Sequence, residues 1–159
     1  MPLILWEWSI VIQASRILPL IISSAACNIA ASSATDWVKG GWDLEQSIQL
    51  ARALKPIGVD LIDCSSGAMV PYAKIPAAPG FQVQFAEAIR REAGILTGAV
   101  GLITEIEPAN AIVSSGQADL VLLAREMLRE PYWALKAEAA LGASPTWPTQ
   151  YGYAVKRKT

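Results

Sequence analysis

The chain has 159 residues, enough for one domain at about one per ~150 residues. It is 53% hydrophobic and 17% charged, and its mean hydropathy of +0.34 excludes a disordered polar tail. Thirteen Lys+Arg against fourteen Asp+Glu leave a net charge of −1, which removes the electrostatic case for a nucleic-acid partner. There is no histidine, so Ser-His-Asp triads, Cys-His pairs and His-based zinc sites are all excluded. Acid–base work near neutral pH would fall to Asp, Glu, Lys, Tyr or Cys, or to a bound cofactor. Two cysteines do not make a disulfide scaffold.

From Arg16 to Asp36 no charged residue occurs between the two. The run from Ile17 to Ala31 is apolar and small, but it falls short of the roughly 20 residues that span a bilayer, and Pro19 and Asn28 interrupt it. Arg16 ahead of this run, with small residues after it, suggests a secretory signal. Glu7, Trp6 and Trp8 make a poor start for one, and Ser24-Ala-Ala-Cys27 resembles a lipoprotein cleavage site only loosely. The other reading is a buried strand or helix.

From Ser33 onward the pattern is regular. Asp43 with Gln46 three residues later has capping-box spacing, and Leu44, Ile48, Ala51 and Leu54 form a helical stripe that Pro56 and Gly58 end. Residues 59–64 predict a buried strand ending at Ser65-Ser66-Gly67. Residues 69–80, with Pro71, Pro76, Pro79 and Gly80, predict a loop. A helix follows from Gln82 to Glu92, with Phe85, Ala86 and Ile89 inward, and then a strand over 95–100 closed by Gly101. Pro108 near a first helical position, with Glu107 as its cap, begins a helix that Gly116 ends. Residues 119–124 predict a third strand; Arg125 then opens a short helical turn, and a last helix runs over 131–141. The tail carries Pro145, Pro148 and aromatic residues and ends in Lys156-Arg157-Lys158.

Alternating helices and doubly buried strands predict parallel βα units. Either an open doubly wound sheet or part of a (β/α)8 barrel fits, since a whole barrel needs ~250 residues. Both architectures put ligands at the carboxyl ends of the strands. Gly101 permits close backbone approach there. Ala124 and Arg125 stand where a short helix begins, and the Arg125 guanidinium suits a phosphate. The competing reading pairs Arg125 with Glu126 or Glu130 on the surface. Asp60 and Asp63, three apart on a strand, point to opposite faces and form no dyad; Asp63 reads as a structural hydrogen-bonding group. Cys64 reads as a small buried hydrophobe, and Trp37 and Trp42 as packing for the loop at Gly40-Gly41. Lys39, Lys55 and Lys74 lie away from strand ends, against an aldolase-type half-barrel. No GxGxxG or Walker motif occurs.

Ser33-Ala-Thr-Asp-Trp37, Gly40-Gly-Trp42, Gly58-Val-Asp-Leu-Ile-Asp-Cys-Ser-Ser-Gly67, Thr97-Gly-Ala-Val-Gly101, Ala118-Asp-Leu-Val-Leu-Leu-Ala-Arg125 and Pro148-Thr-Gln-Tyr151 occur in that order. Together they resemble the C-terminal part of the Old Yellow Enzyme family of NADH:flavin oxidoreductases, closest to its bacterial thermophilic-like ene-reductase branch. The resemblance covers residues 33–159 and implies the C-terminal βα units of an α/β (β/α)8 TIM barrel. It also implies FMN as cofactor, NAD(P)H as hydride donor, a small activated alkene as substrate and a cytoplasmic location. By the same resemblance Gly101, Ala124 and Arg125 match the positions that hold the FMN phosphate.

No catalytic or metal-binding residue is assigned. The family's arginine before the Ser-Ala-Thr-Asp segment has no counterpart in Cys27-Asn-Ile-Ala-Ala-Ser32, and its substrate-holding pair and proton-donating tyrosine belong to a half outside this sequence. The expectation is therefore a truncated or frame-altered product, with residues 1–32 outside the family's frame. The alternative function is a non-catalytic barrel fragment acting through association with a full-length relative. Three strands with two open edges predict self-association. In the family's dimers a C-terminal tail reaches the neighbouring site; Tyr151, Tyr153 and Arg157 are the candidates by position.

Overall fold

The computed structural model describes residues 11–12, 27–67 and 69–155. Their core is a mixed five-stranded sheet with helices packed on one face. Strand β1 is Val11–Ile12 and β2 is Ile29–Ser33. Helix α1 is Leu44–Leu54, followed by a 3-10 turn at Lys55–Ile57 and strand β3 at Leu61–Ser65. Helix α2 spans Val83–Ala93, β4 Leu96–Ala99, α3 Ile106–Ser114 and β5 Leu120–Leu122. A five-residue helix α4 (Arg125–Arg129), helix α5 (Trp133–Ala140) and a 3-10 turn at Thr149–Tyr151 complete the order.

The sheet runs β1-β5-β4-β3-β2. The four strands β2 to β5 are parallel and in sequential order, which gives three consecutive βαβ units; β1 joins β5 antiparallel. The α/β architecture predicted from the alternation is therefore present. The expectation of three strands is corrected to five. Ile29–Ser33 holds Ala30, Ala31 and Ser32, small residues of weak strand preference with no polar–apolar alternation, so its sequence gives no period to read. Its partner supplies the order: Ile29 aligns with Leu61 and Ser33 with Ser65.

Alternation along each strand divides the side chains between two faces. Ile62, Cys64, Ala99 and Val121 point toward the helices and join Ile48, Ala51, Phe85, Ala86, Ile89 and Ile112 in one core. The other face carries Leu61, Gly98 and Leu122, which crowd one another: a Cβ on Gly98 would stand 2.9 Å from Leu122 Cδ1. Helix α1 begins on the anticipated capping box, in which Asp43 accepts from the Gln46 amide and the Gln46 side chain accepts from the Asp43 amide. Helix α3 departs from the prediction. Its cap is Glu105, not Glu107, and Pro108 is its third residue. The amide of any first-turn residue is free of helical bonding, so proline fits there as well as at the first position.

Asp119 fastens β4 to β5, accepting from the Thr97 amide at 2.9 Å and from Arg90 Nε at 3.0 Å. Of the charge-poor run from residue 17 to 31, residues 17–26 lie outside the described residues, as do Arg16 and Lys156-Arg157-Lys158. No helix among the described residues is long and apolar enough to cross a membrane.

Candidate functional site

The carboxyl ends of β3, β4 and β5 open onto a hollow of about 310 Å³. Gly101, Ala124 and Arg125 all line it, so the three residues singled out for one ligand are brought together. Each comes from a different local device. Gly101 has φ of +119°, a backbone state that side chains rarely adopt, and its carbonyl accepts from the Gly80 amide at 2.8 Å. A Cβ there would stand 2.9 Å from Gln82 Nε2 and 3.2 Å from Phe81 Cδ1. Leu102 beside it also lies in the left-handed region, at φ +52°. Ala124 turns the chain out of β5 at φ −93° and ψ −80°, and Arg125 opens α4. That helix is a single short turn.

Arg125 does not form the surface pair that was its competing reading. Glu126 is held by Arg129, through both Nε and a terminal nitrogen, and Glu130 by Lys136. Among the described residues Arg125 makes no ion pair, so its positive charge on the hollow is not neutralised. The Lys136 hydrogen bond comes first among the causes that hold the Glu130 carboxyl below its usual range.

The sequence reading missed the residues under Gly101. Trp37 Nε1 donates to Ser66 Oγ at 3.0 Å, and Ser66 Oγ donates to Gln82 Oε1 at 2.7 Å. Gln82 and Ser66 line the hollow. The Trp37 ring packs on Phe85, with centroids 5.5 Å apart, so it does more than fill the Gly40-Gly41 turn. One signal for Gln82 is in the sequence. It shares the inward stripe of Phe85, Ala86 and Ile89, and a polar residue at an inward position needs a partner. Trp133, also unremarked, is buried and donates from Nε1 to the Thr104 carbonyl at 2.9 Å, which ties α5 to the loop after β4.

The other singled-out residues lie elsewhere. Asp60 precedes β3 and accepts from the Asn28 amide at 2.9 Å. Asp63 does not line the hollow, and the structural hydrogen bond expected of it is missing at Oδ1, which is buried without a partner among the described residues. Burial raises its carboxyl to about 6. Cys64 is the buried hydrophobe expected; burial, with the nearby Asp63 charge, pushes its thiol up to about 12 and keeps it protonated. Tyr151 packs on Tyr132 at 5.5 Å between centroids, while Tyr153 is exposed; Arg157 lies outside the described residues. Among the described residues no cluster of acidic or sulfur ligands could hold a metal ion.

Residues 21–143 match the NADH:flavin oxidoreductase / NADH oxidase family. The chain belongs to this family. The match begins ahead of Ser33 and takes in β2. The NADPH dehydrogenase of Halalkalibacterium halodurans is 53% identical over 119 residues, which are 75% of this chain and 35% of that protein. The NADPH dehydrogenase of a Geobacillus species is 53% identical over the same shares. That of Listeria monocytogenes is 49% identical over 124 residues, 78% of this chain and 36% of its own length. The chain therefore corresponds to 35–36% of the length of these relatives. The family's description names a flavin and NADH, and the relatives are named for NADPH, so a flavin and a nicotinamide are the cofactors that the family implies.

Proposed function

We propose that this chain forms the C-terminal βα units of a (β/α)8 barrel and supplies the FMN phosphate site of an NAD(P)H-dependent oxidoreductase of the ene-reductase type. The observation that carries the reading is the meeting of Gly101, Ala124 and Arg125 around one hollow at the strand ends. The residues suit a phosphate. Gly101 lacks the Cβ that would press on Gln82 Nε2, which leaves its backbone open to close approach. Arg125 offers a charged, forked donor set that matches phosphate oxygens and is not spent on a carboxylate among the described residues. FMN, when bound, would carry hydride from the nicotinamide to the β-carbon of an activated alkene. This chain's share is to anchor the anionic end and fix its orientation. The two free cysteines fit a reducing cytoplasm.

The test is a flavin titration. Arg125→Ala should weaken FMN binding by about 1.5–3 kcal/mol, the range for hydrogen bonds to charged groups. Riboflavin, which has no phosphate, should bind both proteins alike. Equal FMN affinity in the variant and the parent would remove the phosphate assignment. A second reading, a non-catalytic fragment that associates with a full-length relative, draws on the 35–36% span and the outer strand β2. NADPH oxidation with an enone by the purified chain, above that of free FMN, would discard it.

A further inference from the structure

Gln82 stands out among the residues of the hollow. It is 5% exposed, yet it is polar and occupies the inward stripe just ahead of α2. Its orientation is fixed by a directional relay. An indole N–H can only donate, so Trp37 occupies a lone pair of Ser66 Oγ, and the Ser66 hydroxyl proton goes on to Gln82 Oε1. The carbonyl end of the amide is thereby committed. The other end, Nε2, lies on the Gly101 side, 2.9 Å from where a Cβ of that residue would be. Among the described residues the one side-chain hydrogen bond of Gln82 is the one that Oε1 accepts from Ser66, and Nε2 donates to no acceptor. Nε2 is not among the buried atoms left without a partner, so it opens onto the hollow that Gln82 lines. The hollow therefore presents an accessible amide donor whose orientation is set by Ser66.

We propose that Gln82 is a ligand-binding residue, its Nε2 donating to a phosphate oxygen of the group held by Gly101 and Arg125, with Trp37 and Ser66 as positioning residues. The inference rests on the reading of the hollow as a phosphate site and adds to the charged donor of the exposed Arg125 a neutral donor from a buried residue. The chemistry selects an acceptor. Ser66 fixes which end of the amide is which, and the end on the Gly101 side is the NH2 group, which offers hydrogens. A phosphate oxygen, which only accepts, satisfies that end. Holding the amide in advance also removes the ordering cost of a flexible glutamine at binding.

The experiment titrates the protein with FMN, riboflavin and inorganic phosphate by calorimetry and flavin fluorescence. Gln82→Met removes both donors at similar length; Gln82→Glu keeps the acceptor for Ser66 and turns a carboxylate toward the ligand. Gln82→Met should weaken FMN about tenfold and Gln82→Glu more, with riboflavin changed by less than about twofold. Trp37→Phe keeps the ring against Phe85 and breaks the relay, and should weaken FMN by about threefold. Far-UV circular dichroism of each variant separates loss of fold from loss of contact, and the near-isosteric Gln82→Glu keeps the test open should Gln82→Met fail to fold. Unchanged FMN affinity in the Gln82 variants, with loss in Arg125→Ala, overturns the role of Gln82 and leaves the phosphate site standing. Equal weakening of FMN and riboflavin overturns the phosphate contact. Wild-type protein that binds neither FMN nor phosphate, or FMN binding indifferent to Arg125→Ala, overturns both.

Discussion

Asp63 is a carboxyl group with small neighbours. In register it lies between Ala31 on β2 and Gly98 on β4, and neither side chain can donate to it. Desolvation therefore dominates, and the carboxyl rises from 3.8 to about 6. The unfolded chain ionises near the lower value and the folded chain near the higher one. Folding thus takes up a proton between them. The Asp63 contribution to stability is greatest below about pH 4, falls as pH rises toward about 6, and is lower above it by up to about 3 kcal/mol. Asp63→Asn should flatten this dependence and raise the melting temperature at pH 7 relative to the parent. Melting curves from pH 4 to 8 decide it: parallel curves for the two proteins would mean that Asp63 is not the group responsible. Period-two alternation separates Asp63 from Asp60, which precedes β3 and accepts from the Asn28 amide. It could not show that Asp63 Oδ1 is without a partner among the described residues, because that depends on which residues of β2 and β4 come alongside.

At the scale of elements, what was legible is what short stretches determine for themselves. The Asp43/Gln46 box involves groups three residues apart, and α1 begins there as predicted. The strands at β3, β4 and β5 carry dense apolar runs and needed no partner to be recognised. Strand β2 did, and Gln82 needed Ser66, sixteen residues away in sequence, to reveal its role. Gly98 shows how far sheet packing constrains one position. It is the point where β3 and β5 side chains meet: a Cβ would come 2.9 Å from Leu122 Cδ1 and 3.7 Å from Leu61 Cδ2. Gly98→Val should force both leucines from their places and cost about 1–3 kcal/mol. Gly58→Ala is the contrast, since nothing lies within 4 Å of its Cβ and its cost comes only from the left-handed backbone at φ +100°. Urea midpoints measure both. A Gly98→Val protein as stable as the parent would show that this face relaxes freely.

For the whole molecule the question is what β2 does. It ends the sheet order, with β3 on one side and no strand on the other among the described residues. Its face opposite the helices begins with Ile29, which is 56% exposed and in register with the buried Leu61. A parallel edge strand that has no strand on its outer side among the described residues, and that exposes a branched side chain, is a template for another strand. In a (β/α)8 barrel that position is taken by a preceding strand of the same chain. Here we expect a second copy to take it, so the protein should self-associate as concentration rises from the micromolar range. Ile29→Lys places a charge on the exposed face without touching the helix-side core, and should shift the mass distribution toward monomer. Sedimentation velocity over a concentration series reads the effect directly. Monomer at every concentration for the parent would mean that the edge is already covered. Association equal in parent and variant would move the contact to another surface, with the exposed Leu128 on α4, beside the hollow, as the next position to charge.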